Sequence, residues 1–163
     1  MINILEKNKR NTGFILFTAM AVFLCAVAVF GLLVDTFVRD LDGDTAYAFP
    51  IYGQDSPAFV ALAERLREGG GFTNEYGEAE MFRTPGYPFL LALSLFLANS
   101  LWIAIALQIV FAAAIVVLTF FIGSRLSGMR AGIIGAILVA LSPNLIFHSV
   151  VALSDIVATF LVL

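Results

Sequence analysis

The chain has 163 residues, 61% of them hydrophobic and 13% charged, with a formal net charge of −3. A soluble globular domain runs about 45–50% apolar and about 25% charged; the excess here collects in long runs nearly free of charge, the signature of membrane-spanning helices. The net charge is too weak to call for a nucleic-acid partner, and the single cysteine, Cys25, has no intrachain partner, which excludes a disulfide framework.

Residues 1–12 carry Lys7, Lys9 and Arg10 and precede the first apolar run, Gly13 to Val34, which is 22 residues without a charge. At about 1.5 Å per residue that run reaches across a hydrocarbon core of ~30 Å. Ala26-Val27-Ala28 resembles a signal cleavage site. The apolar run continues past it, so the segment reads as an uncleaved anchor.

Residues 35–100 form a long connecting loop. Its first 52 residues, 35–86, hold ten acids against four arginines, a net of −6. Asp35, Asp40, Asp42 and Asp44 lack the full spacing of a calcium loop and read as a solvated acidic stretch. Asp55-Ser56-Pro57 predicts a helix start, with Ser56 as a cap and proline in the first turn. Phe59, Leu62, Ala63 and Leu66 then give the stripe of an amphipathic helix over 56–68, ended by Gly69-Gly70-Gly71. Such a helix beside a membrane lies in the interface. The two prolines of Phe82-Arg83-Thr84-Pro85-Gly86-Tyr87-Pro88 break regular helix and set a corner carrying Arg83. An arginine there can bind a lipid phosphate with paired N–H donors, or serve as an interfacial anchor or a carboxylate partner.

The apolar run 87–98 is only 12 residues long. As a helix it reaches about 18 Å, which suits an interfacial or re-entrant segment. The second span is expected over 101–122, with Gln108 its most polar member. A short basic turn follows over 123–130. The third span covers 131–149, broken at Ser142-Pro143-Asn144, and residues 150–163 hold an outer turn and the start of a fourth helix. With 87–98 not spanning, the N-terminal basic residues and Arg125 and Arg130 share the cytoplasmic side, as the positive-inside rule prefers. The loop 35–86 and the turn from His148 to Asp155 then lie on the outer side. The fold class is all-α, integral membrane, with an N-terminus in the cytoplasm.

Asp155 stands at the start of the last apolar run, where a carboxylate either caps a helix or marks a site. Asp55 and Asp155 on one face, with Arg83, are suitable parts for chemistry on a lipid-linked phosphate: a general base and a cation for the leaving group. His148, without a second nitrogen or sulfur ligand, is a poor zinc signal. No cofactor is required, although a divalent metal stays open.

The ordered series Asp55-Ser56-Pro57, Gly71-Phe72-Thr73, Phe82 to Pro88, Gln108, Arg130-Ala131-Gly132, Leu141-Ser142-Pro143 and Leu153-Ser154-Asp155 resembles the N-terminal part of membrane glycosyltransferases of the GT-C superfamily. Closest in pattern is the protein-mannosyltransferase and aminoarabinose-transferase-like group, including rhizobial lipopolysaccharide core galacturonosyltransferases. The resemblance implies transfer of a sugar from a polyprenyl-phosphate donor to a lipid, glycan or protein acceptor at the outer face of the cell membrane. It implies Asp55 as catalytic base, Asp155 as assisting carboxylate, and Arg83 near the carrier phosphate. It also implies a longer protein, with this chain ending inside its fourth span and inactive alone. The competing expectation is a small non-enzymatic multi-pass membrane protein, such as a transporter subunit or assembly factor. A transporter would place charges inside its helices, and the complete runs here carry none.

Overall fold

The computed structural model describes residues 18–30, 55–74 and 76–163. The N-terminal basic residues and the Asp35–Asp44 stretch lie outside them. Among the described residues the chain is all helical: α1 (Thr18–Phe30), α2 (Ser56–Arg67), α3 (Gly86–Ala98), α4 (Trp102–Ser127), α5 (Met129–Ala140), α6 (Pro143–Val150) and α7 (Asp155–Val162). The one strand-like contact among them is an isolated antiparallel bridge between Thr73 and Ala79.

α4 is long and apolar enough to cross a membrane. α5 and α6 reach that measure only as a pair, bent by 53°. The break at Ser142-Pro143 falls where expected: proline cannot donate to the preceding turn, and it starts α6 instead. The turn expected over 123–130 is a correction. α4 continues to Ser127 and α5 begins at Met129, so Gly128 alone makes the turn, at φ 85°. A glycine tolerates that left-handed conformation without a Cβ penalty. The helix at the expected second span is thus longer than 101–122, and the helix at the expected third starts two residues before 131. Of the first span, 13–34, only α1 falls in the described residues.

The α4–α5 hairpin closes through small residues. A Cβ on Gly132 would meet Ser124 Oγ and stand 2.6 Å from the Phe120 carbonyl oxygen, and one on Gly123 would lie 3.0 Å from Gly132 Cα. Ala136 and Ala140 continue this buried face along α5, and Ala112 and Ala113 are buried on α4. α1 packs on the same core through Phe23 and Val27. Its end meets α6, where the Phe30 and Phe147 rings are 6.2 Å apart.

α2 and α3 form the second core with Leu101, Ala104, Ile105 and Ala152. They run parallel. Phe59 meets Tyr87 near their starts, with ring centroids 5.4 Å apart, and Arg67 donates to Asn99 Oδ1 at 2.6 Å at their ends. The helix α2 lies within the expected 56–68, but its start and buried face differ in detail. Asp55, not Ser56, is the N-cap residue, and its side chain makes no cap hydrogen bond. Ser56 is fully buried inside the first turn, and the buried face is Ser56, Val60, Leu62 and Ala63. Phe59 and Leu66 of the expected stripe pack half-buried against the same core, so the face is widened by Ser56 and Val60 rather than replaced.

α3 folds back antiparallel along the first turns of α4. Asn99, left-handed at φ 49°, ends α3. Ser94 Oγ then donates to the Ser100 carbonyl at 2.6 Å and accepts from Ala104 N–H at 3.2 Å, capping α4 from within α3. The opposite face of α3 leaves Phe89, Leu93, Phe96 and Leu97 exposed.

Candidate functional site

Gln108, wholly buried on α4, is the polar hub of this end of the molecule. Its Nε2 donates to the carbonyls of His148, at 3.1 Å, and Val151, at 2.9 Å. These carbonyls belong to the end of α6 and the turn after it, where helical partners run out. Its Oε1 accepts from the Tyr87 hydroxyl. One amide therefore joins the start of α3, the middle of α4 and the turn leading to α7. Burial, and then the Asp155 carboxylate, hold the Tyr87 phenol above its usual range, so it stays a neutral donor.

Ser154 takes the N-cap position of α7, and Asp155 is the first helical residue. The carboxylate is thus placed in the first turn, where the helix dipole favours a negative charge, rather than as the cap. Asp155 Oδ2 lies 3.7 Å from His148 Nδ1. That is beyond hydrogen-bond length, and Nδ1 is buried without a hydrogen-bond partner. Both residues line a cleft of about 360 Å³ between α4, α5, α6 and α7, together with Ser142, Asn144 and Thr159. His148, read from the sequence only as a poor zinc signal, is therefore Asp155's neighbour. The seven-residue separation bridges a helix end, so no motif spacing disclosed it.

Arg83 stacks over Phe59, with Cζ 5.7 Å from the ring centroid. It lines a second cleft of about 230 Å³ with Arg65, Asn74 and Glu80. Arg65 donates to the Thr73 carbonyl at 3.0 Å, which ties α2 to a tight turn built on Asn74. Asn74 Oδ1 accepts from the backbone N–H groups of Tyr76 and Glu78, both at 3.0 Å. Among the described residues neither guanidinium has a carboxylate within ion-pair distance. Arg65 was legible only as one charge on the polar face of its helix.

Asp55 is exposed at the start of α2, and its carbonyl accepts from Phe59 N–H at 3.3 Å. It lines neither cleft. The three expected residues are connected through a series of contacts: Asp55 lies one turn from Phe59, Arg83 covers Phe59, Phe59 meets Tyr87, Tyr87 bonds Gln108, Gln108 bonds the His148 carbonyl, and the His148 ring lies 3.7 Å from Asp155. They gather at one end of α4, while Arg125 and Arg130 lie at the other. Among the described clefts Arg83 lines one and Asp155 another, with the Tyr87–Phe59 pair among the expected residues. Among the described residues no three metal-ligating side chains come together. Comparison with family models, curated proteins and solved structures gives no match to this chain.

Proposed function

We propose that the chain is the N-terminal part of an integral membrane glycosyltransferase of the GT-C type, acting at the outer face of the cell membrane on a polyprenyl-phosphate-linked sugar. The observation that carries this reading is the linkage of Asp55 and Arg83, through Phe59, Tyr87 and Gln108, to the His148–Asp155 pair at one end of α4. From Gln108, at the level of this group, to Ser127 the helix rises about 29 Å, close to a hydrocarbon core of ~30 Å. The group would then lie at one membrane surface and Arg125 and Arg130 at the other. Apolar exposure supports the bilayer: Val110, Phe121, Ile134, Leu138, Phe96 and Leu161 face outward, while small residues form the helix contacts, as in lipid.

In the reaction Asp55, exposed at the start of α2, takes the proton of the acceptor hydroxyl. That oxygen attacks the anomeric carbon, and the carbon–oxygen bond to the carrier phosphate breaks with its electron pair leaving on the phosphate. Arg83 neutralises the departing charge. Asp155, beside His148, assists. In the full-length enzyme Asp55→Asn is expected to lower transfer by ~10²-fold or more, the usual range for a general base, with unchanged membrane insertion. Arg83→Ala is expected to raise the KM for the lipid-linked donor. Wild-type turnover in Asp55→Asn at equal protein level removes Asp55 from the base role. A full-length protein that transfers no sugar from any polyprenyl-phosphate donor favours the non-enzymatic reading.

A further inference from the structure

His148 and Asp155 stand where one helix ends and the next begins: His148 is in the last turn of α6 and Asp155 in the first turn of α7. The backbone around His148 is held from several sides. Gln108 Nε2 donates to the His148 and Val151 carbonyls, and Ser149 Oγ donates to the Ile146 carbonyl at 2.7 Å. The Phe147 ring stands edge-on to the imidazole, with centroids 5.3 Å apart. The imidazole therefore projects from a fixed base, while the Asp155 side chain, 59% exposed, has room to turn.

A neutral imidazole has one nitrogen that donates and one that accepts, and the partner of either decides which is which. His148 Nδ1 is buried without a hydrogen-bond partner, and a buried polar atom left so is costly. Among the described residues the carboxylate within ion-pair reach of it is Asp155, with Oδ2 at 3.7 Å. An ionised carboxylate can only accept, so Nδ1 has to be the donor. Closing the gap to a charge-assisted bond of about 2.8 Å takes a shift of about 1 Å, which a turn of the exposed carboxylate supplies. We propose that His148 is a positioning residue for Asp155: its Nδ1 carries the imidazole proton and donates a hydrogen bond to Oδ2, which sets the direction of the carboxylate and leaves Oδ1 free. What Oδ1 then serves rests on the glycosyltransferase reading; the bond itself does not.

The chain contains a single histidine, so the nitrogen-15 NMR spectrum of its imidazole in lipid nanodiscs reports on this residue alone. At about pH 8, where an ordinary imidazole is neutral, the proton is expected on Nδ1. In Asp155→Ala the other tautomer, with the proton on Nε2, should gain. A proton found on Nε2 in the unaltered chain overturns the proposal, as does a tautomer balance that Asp155→Ala leaves unmoved. The positioning role is read in the full-length enzyme at equal protein level. His148→Leu is expected to lower kcat about tenfold, the scale of one hydrogen bond to a charged group, with the KM for the lipid-linked sugar unchanged. His148→Asn, whose amide nitrogen stands as many bonds from Cβ as Nδ1 does, should recover most of that loss. Unchanged kcat in His148→Leu, or no recovery in His148→Asn, overturns the positioning role. The two readings fail separately. A proton on Nδ1 that depends on Asp155, in a full-length protein that transfers no sugar, keeps the bond and removes the transferase, whereas transfer with the proton on Nε2 does the opposite.

Discussion

Gln108 satisfies two backbone carbonyls and one phenol from segments 21 to 43 residues away in the chain. Removing its amide strands all three groups in the interior. Gln108→Leu is expected to cost about 2 kcal/mol or more in stability, because each stranded buried group costs about 1–3 kcal/mol. Tyr87→Phe removes one partner of the three and should cost about 1 kcal/mol. Thermal unfolding in detergent checks both, and the double variant should lose less than the sum, since the two share a bond. Tyr87 also makes a pH prediction. Its folded pKa is raised, so its contribution is fully present below the unfolded value of about 10 and is lost as pH rises beyond it. The unfolding temperature should fall more steeply above about pH 10 in the wild type than in Tyr87→Phe. Equal slopes would show that the phenol is not held neutral by the fold.

At the scale of elements, the α4–α5 hairpin rests on the absence of a side chain at Gly132. Its neighbours include the Phe120 carbonyl at 2.6 Å from a built Cβ, and backbone cannot rotate away as a side chain can. Gly132→Leu is therefore expected to push the helices apart and destabilise by about 1–3 kcal/mol, the usual range for overpacking. Gly69→Ala, at φ 82° with open space around it, isolates backbone strain from crowding. It should cost less, on the order of 1 kcal/mol. Denaturation of both variants, followed by the loss of helical circular dichroism in detergent, gives the comparison. A Gly132→Leu protein as stable as the parent would mean that the hairpin is closed by something other than this approach.

For the whole molecule the membership of one end is decisive. α2, α3, Asp155 and Arg83 share it, and Arg125 and Arg130 share the other. Membrane sidedness follows if α4 crosses the bilayer. In a Cys25→Ser background, Thr84→Cys should react with an impermeant thiol reagent from outside intact cells, and Ser127→Cys should react only after permeabilisation. Thr84 and Ser127 are both exposed, whereas Ser56 is fully buried and would report burial instead of side. Labelling of Ser127→Cys from outside would invert the topology and end the argument for an outer-face site.

Much of this organisation is written in local sequence, because local rules act there. Charge-free runs, the glycines after α2, and Pro143 at the break place helices and their ends through solvation and backbone sterics alone. The short length of 87–98 likewise foretells a 13-residue α3. The lone polar residue of an apolar run, Gln108, could be noticed but not assigned. What only tertiary structure decided are the meetings of distant segments. The buried side of α2 is set by α3, the turn shrinks to Gly128 because Gly123 and Gly132 touch, and Asp155 finds His148 across a helix end. The assignment of Arg83 and Asp155 to separate clefts also arises there. The physical reason is that burial of a face and satisfaction of a polar group depend on the partner across the gap. That partner, 21 to 43 residues distant for Gln108, leaves no periodic mark on the residues it meets.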